Sequence, residues 1–412
     1  MHFSDEDRFG LMAKELDHSL EQRLLHTLFF LFGFGIMAWV PRFPEVKAHL
    51  GLQNGAFGSL MSTGSIGAFF GLLTVGHIIH RFGAFRVTVI SIGLLFTSLG
   101  LLVHVQSSFI FLILNILFGF GITAVHVCLN SQGFHFLERS KINLITSTAG
   151  YWSAGSLTTA IVSGLLVGRV GLITHIDVLC AVLAISMIAI VIRLKSVLLE
   201  SNTDSESDYS IKQIFTGFRI DWPVSLGMAC VVYLEFALGD WGTIFTKDRL
   251  DVSGGLSTAP FIIFTAMMIV GRLLVHRLQE RNPIDLLVKR AALLAGFGFG
   301  SLIIIATVMP ASLKWWSYSL FIVAFAIAGL GSSFAGPAFF AAANRRSSQP
   351  SAVVVGQFGV VNNVLLFGIK WIVAWTIQFT GSIALAMMIP TVMMLATVFF
   401  VSSLKADSKS KV

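Results

Sequence analysis

The 412 residues are 55% hydrophobic and 12% charged, with a mean hydropathy of +0.83. Soluble globular domains carry about a quarter of their residues as charged side chains, so this composition excludes that class and points to an integral membrane protein. The net charge of +7 would suggest nucleic acid in a soluble protein, but here the placement of the basic residues carries the information, and no nucleic-acid partner is expected.

In chain order, residues 1–22 mix Asp5, Glu6, Asp7, Arg8, Lys14, Glu15 and Asp17 with no apolar core. They read as a cytosolic lead-in, not as a secretory signal. The long apolar runs that follow show no strict alternation, so the spans are helices and not the strands of a barrel. Charged and Pro/Gly/Asn-rich breaks predict twelve spans, at about 24–44, 54–79, 86–106, 108–135, 143–168, 174–195, 222–246, 257–279, 286–309, 315–342, 352–378 and 381–403. The expected fold is all-α and integral to the membrane. A bundle over 23–195 is followed by a linker over 196–219, a second bundle over 220–404 and a tail over 405–412.

With the N-terminus cytosolic, the inner segments hold 21 Lys and Arg and the outer ones 6, leaving Lys370 inside a span. The positive-inside rule therefore predicts both termini in the cytosol. The linker, with Glu200, Asp204, Glu206 and Asp208, is acidic and Ser-rich and reads as a flexible connection. Cys128, Cys180 and Cys230 lie in apolar segments without metal or redox spacing, so they read as packing residues, and no metal site is expected.

The two halves resemble each other. Gly33 to Trp39 lies against Glu235 to Trp241, Val75-Gly76 followed by His80-Arg81 recurs as Val270-Gly271 followed by His276-Arg277, and Gly119-Phe-Gly121 recurs as Gly329-Leu-Gly331. Their order and near-constant spacing point to a duplicated six-helix unit, which in secondary transporters places the site between the halves.

Polar residues inside spans are the site candidates, since a charge at membrane depth costs several kcal/mol unless paired, protonated or hydrated. In span four, Asn115, Gly119, His126 and Asn130 fall within an arc of about 60° on one helix face, which can line a polar cavity or bond neighbouring helices. In span seven, Glu235 and Asp240 point about 140° apart and are expected to have different jobs and not to face the same spot. Depth along the helices lets Lys370 of span eleven reach Asp240, which predicts an intramembrane ion pair and leaves Glu235 as a proton or substrate site. The alternative is that both acids only brace helices.

Arg42 is expected at an interface or gate, or on an anionic or hydroxylated substrate. Arg272 is expected near the inner end of its span, snorkelling to the cytosol or closing an inner gate. Gln357, Asn362 and Asn363 are further cavity candidates, and Trp39 and Trp241 could stack on a ligand or anchor at the interface. The Gly-Phe-Gly runs lack the strand-turn-helix context of nucleotide fingerprints. No nucleophile or metal constellation appears, so neither an enzyme nor a cofactor is expected.

At this point the chain resembles a known family. Twelve spans, the 6+6 duplication and Gly76, Arg81, Gly83 and Arg86 at four places of a Gly-x-x-x-acid-Arg-x-Gly-x-x-Arg signature are similar to the major facilitator superfamily. More narrowly the chain resembles its bacterial branch related to fucose permease, through Trp39, Arg42 and Pro44, through Gly119, Gly121 and Asn130, and through Glu235, Asp240 and Trp241. His80 and His126 stand where that pattern has acids, replacing permanent anions with titratable imidazoles at the inner gate and in span four. The resemblance implies a bacterial inner-membrane transporter, expected to act as a monomer, with a small-molecule substrate moved by alternating access and driven by the proton gradient. Glu235 is the first candidate carrier and His126 the second. Two other expectations stay open: a metabolite or drug exporter in place of a sugar-like importer, and a transport-inactive sensor or assembly protein on the same fold.

Overall fold

The computed structural model describes residues 18–142, 144–200, 220–347 and 351–405, so most of the expected lead-in, linker and tail lies outside the described residues. Within them every regular element is a helix. The chain forms α1 (His18–Met37), α2 (Asn54–Phe82), α3 (Ala84–His104), α4 (Ser108–Ser140), α5 (Ile145–Leu166) and α6 (Leu172–Leu194). It continues with α7 (Trp222–Leu250), α8 (Ala259–Gln279), α9 (Ile284–Val308), α10 (Ala311–Arg346), α11 (Ser351–Thr380) and α12 (Ile383–Phe399). Among the described residues, nine helical stretches are long and apolar enough to cross a membrane.

α12 falls short on apolar length and α5 on apolarity. α5 owes this to its hydroxyls, which fold back on the helix: Ser153, Ser156 and Thr158 donate to the carbonyls of Ala149, Trp152 and Ala154. A Ser/Thr side chain satisfied this way can sit in an apolar setting or turn toward a polar cavity.

The duplicated glycines explain how each half packs. A Cβ on Gly119 would run into the Gly64 carbonyl, and one on Gly67 into that of Ile116, so α2 and α4 touch backbone to backbone. A Cβ on Gly329 would strike the Phe264 carbonyl, and one on Gly271 the Ser333 hydroxyl, so α8 and α10 repeat the contact. Close approach through small residues is how helices associate where no hydrophobic drive separates protein from lipid.

Two helices are broken where the sequence predicts continuity. α2 is interrupted at Thr63, whose hydroxyl donates to Leu60 O at 2.6 Å, while Asn115 Nδ2 donates to Leu60 O and Met61 O at 2.9 and 3.0 Å. α10 is interrupted at Ser333–Phe334, where the Ser333 hydroxyl donates to Leu330 O at 2.8 Å and Arg272 Nε to Ser333 O at 3.1 Å. In both places a side chain from the helix packed alongside satisfies the freed carbonyls, which lets a break persist away from water.

α1–α6 pack mainly among themselves, as do α7–α12, and the halves meet most closely at the end away from the chain termini. There Thr243 Oγ1 donates to Val40 O at 3.3 Å. Lys47 Nζ and Asn54 Nδ2 both reach Asp248 Oδ2, at 3.0 and 3.1 Å. Gly58 gives room for the Trp241 ring, and Gly164 for the Thr258 hydroxyl. These contacts roof a cavity between the halves.

Candidate functional site

The cavity has a volume of about 480 Å³ and is lined from both halves. That is within the range of small-molecule sites, about 300–1,000 Å³. Every charged group on its wall comes from the second half: Glu235, Asp240, Arg272 and Lys370. The first half contributes aromatic, amide and hydroxyl groups, including Trp39, Phe118, Asn115, Trp152 and Ser153.

Asp240 and Lys370 are in contact, with Lys370 Nζ 2.7 Å from Asp240 Oδ2 and 4.8 Å from the centre of the Phe236 ring. Their placement on α7 and α11 brings together the two residues whose depths match in the sequence. Glu235 has no such partner. Arg272 is near enough for its charge to act on Glu235, and Ser332 is beside it, but no Lys or Arg nitrogen lies within 4.0 Å of its carboxylate among the described residues. The fully buried Ser332 hydroxyl is the polar side chain next to that carboxylate. Glu235 and Asp240 thus have different partners, but the expectation that they cannot face one site is corrected, because the cavity is broad enough to take both faces of α7, from Glu235 to Asp240.

Arg272 is the larger correction. It does not snorkel from a helix end but lies on the cavity wall, its Nε on Ser333 O, its Nη1 on Ser153 Oγ of the first half at 3.0 Å and its Nη2 against Met268 Sδ at 3.6 Å. The break in α10 supplies the carbonyl that draws the guanidinium inward, and that break was not read from the sequence.

Arg42 is fully buried beyond the cavity, its Nη1 on Glu45 Oε2 at 2.6 Å and its Nη2 on Val170 O at 3.0 Å. This clamp joins the turn after α1 to the loop before α6, and Arg42 makes no part of the cavity wall. Trp39 lies on the wall, edge-on to Phe43 and Phe118 at 5.0 Å from each. Its counterpart Trp241 is off the wall and packs into the notch at Gly58.

Of the α4 candidates, Asn115 and Gly119 reach the wall, where Asn115 also clasps the α2 break and Gly119 is the packing notch. His126 lies one turn beyond wall residue Ile122, toward the end that holds the termini. It is exposed although it sits on the face of α4 opposite the lipid-type residues Phe109, Ile113 and Leu117, with its ring stacked on Phe32 at 6.2 Å. The cavity therefore widens toward that end. Asn130 is a turn further along and donates to His126 O at 2.8 Å within its own helix. On α11, Asn363 is on the wall, whereas Asn362 is buried against Phe358 O and Gln357 is buried off the wall.

The turn between α2 and α3 is distant from the cavity. Gly83 has φ 78° and ends α2, and Ala84 N donates to Leu199 O at 2.9 Å, tying the turn to the chain after α6. Gly76 and Arg86 are exposed, Arg81 lies over the Phe82 ring, and none of His80, Arg81 and Arg86 is in an ion pair among the described residues. With His80 in place of the acid, this turn makes no ion pair among the described residues, and the halves meet most closely at the other end.

The wall residues missed in the sequence include Trp152, Ser153, Phe118 and Met268. The signal that could have found the first two is the Ser/Thr/Gly content of α5, unusual for a helix that would face lipid.

A sequence model of the Major Facilitator Superfamily matches residues 25–369. An uncharacterized MFS-type transporter of Yersinia pestis is 25% identical over 340 residues, covering 81% of this chain and 83% of that protein. Membrane protein MosC of Rhizobium meliloti is 22% identical over 315 residues, covering 76% and 73%. Among solved structures, the nucleoside transporter NupG superposes with a TM-score of 0.72 at 13% identity, covering 95% of this chain and all of that one. A D-xylose–proton symporter superposes with a TM-score of 0.70 at 15% identity, covering 95% and 98%.

Proposed function

Since the chain belongs to the Major Facilitator Superfamily, a family of multi-pass membrane transporters, we propose that it is a proton-coupled secondary transporter of a small organic solute working by alternating access. The observation that carries this reading is Glu235, a carboxylate without an ion-pair partner on the wall of a cavity between two six-helix halves. Such a group can take a proton from one side and release it to the other as the halves rock, because neutralisation removes the cost of its charge in a poorly solvated site. Asp240, already compensated by Lys370, is the poorer carrier and the better brace.

In this reading 23–195 and 220–404 are the rocking units, the end holding the termini faces the cytosol of a bacterium, and the contacts of Asp248 and Thr243 close the outer side. The basic bias of the inner segments supports that orientation. NupG and the xylose symporter, transporters on the same fold, support a small organic solute. The narrower placement beside fucose permease rests on Trp39, Arg42, Asn130 and the Glu235-to-Trp241 stretch, and it leaves import and export both open.

Proteoliposomes loaded with a pH dye test the coupling. Glu235→Gln is expected to abolish solute-driven proton movement while leaving solute exchange between the two sides. Undiminished proton movement in that variant would overturn the assignment.

A further inference from the structure

Four charges stand on one wall of the cavity, and they do not pair off as two and two. Asp240 and Lys370 neutralise each other at 2.7 Å. Arg272 has no carboxylate within 4.0 Å among the described residues, and all of its hydrogen-bond partners are neutral. Of its three contacts only one is strong and local to its own half, the Nε bond to Ser333 O at the break of α10. The other edge of the guanidinium, Nη1 and Nη2, is held by a hydroxyl and by a thioether, which is a weak acceptor. Nη1 and Nη2 form the pair of parallel donors that matches a carboxylate. The first half lines the same cavity with the rings of Trp39, Phe118 and Trp152.

From these contacts we infer that the solute is an organic anion, a carboxylate on a flat or apolar body, whose carboxylate takes the Nη1 and Nη2 edge of Arg272 while its body lies against Trp39 and Trp152. This deepens the transporter reading above and rests on its cavity. A carboxylate in that position replaces Ser153 and Met268 as partners of Arg272 but leaves the Nε bond to Ser333 O, so the break in α10 stays capped. Since Ser153 belongs to α5 and Arg272 to α8, binding releases the tether that joins the two halves inside the cavity. Solute recognition and loosening of the halves are then one event, with Glu235 beside it to take the proton that offsets the charge brought in.

The test is binding to the purified full-length chain in detergent, read by quenching of tryptophan fluorescence. The probes are aromatic and aliphatic monocarboxylates such as phenylacetate and hexanoate, each beside its amide, together with D-xylose and uridine as neutral solutes. Carboxylates are expected to bind roughly tenfold or more tightly than their amides. Arg272→Lys is expected to lose roughly tenfold, because an ammonium cannot offer two parallel donors. Ser153→Ala is expected to bind carboxylates more tightly, because it removes a competitor for Nη1.

The Ser153 variant and the carboxylate–amide comparison on the unaltered chain keep the test decisive if substitution at Arg272 prevents folding. Saturable binding of xylose or uridine with none of any carboxylate at millimolar concentration overturns the inference, as does a panel in which nothing binds. Carboxylate binding is read on the unaltered chain, and proton movement in the Glu235→Gln proteoliposomes. Loss of proton movement with binding intact therefore bears on the coupling alone, and loss of carboxylate preference bears on the solute class alone.

Discussion

The first half meets the cavity with Trp39, Phe118, Trp152, Asn115 and Ser153, and the second meets it with Glu235, Asp240, Arg272 and Lys370. The scaffold under these two walls is the same. α2 crosses α4 through Gly64, Gly67 and Gly119, α8 crosses α10 through Gly271 and Gly329, and each crossing carries one broken helix capped by its neighbour. The cap differs in kind: a neutral amide, Asn115, in the first half and a cation, Arg272, in the second. A duplicated unit thus keeps its backbone contacts while its wall residues diverge, one copy toward shape and stacking and the other toward charge.

The largest expected effect is on the charged wall. Lys370→Ala leaves Asp240 partnerless at a depth where its side chain is 23% exposed, and the loss in stability is expected at about 2–3 kcal/mol, under the range for a fully buried pair because the cavity is partly wet. Thermal unfolding in detergent measures it, and Asp240→Asn added to Lys370→Ala is expected to recover much of the loss. A double variant no better than Lys370→Ala would break the contrast between the walls.

The shared scaffold gives the next prediction. Gly119→Ala and Gly329→Ala each force a methyl group against a carbonyl of the crossing helix, and each is expected to cost about 2 kcal/mol. Similar values sharpen the view of one scaffold used twice. A loss confined to one of the two variants would show that the crossings are not equivalent.

A smaller effect is expected on the neutral wall. Asn115→Ala removes the amide that serves the Leu60 and Met61 carbonyls and is expected to cost about 1–2 kcal/mol, less than Lys370→Ala, because no charge is left behind. The smallest stability change is expected at the roof. Asp248→Ala breaks contacts to Lys47 and Asn54 that are partly exposed, and should cost less than about 1 kcal/mol. Its informative readout is conformational: a cysteine pair placed across that end should crosslink more slowly in the variant, since the bonds it loses hold the halves together there.

Much of the fold was open to reading because the bilayer enforces it. Long apolar runs must be helices, and the turn signals between them delimit segments that coincide with helical segments here, though only nine stretches meet both length and apolarity among the described residues. The Asp240–Lys370 contact was legible because helix rise converts sequence position into depth, and depth is what two charges on antiparallel or parallel spans must share. Arg272 was misread for the complementary reason. Its helix position alone suggests a side chain extended toward an aqueous end, and only the break at Ser333, formed by the crossing of α8 and α10, supplies the inward acceptor. Trp39 and Trp241, equivalent in the repeat, part company in the same way, one on the wall and one in the notch of Gly58.

Composition and long apolar runs by themselves determined that this is a helical membrane protein, since burial in lipid leaves a chain few alternatives and acts on every residue of a span, and the recurring motifs pointed to two related halves. The tertiary structure alone decided which polar groups share a cavity, which carbonyls are freed by broken helices, and which cation makes no ion pair within 4.0 Å among the described residues. Those outcomes depend on the angle and depth at which helices distant in sequence cross, and a single span's periodicity carries no record of its neighbours.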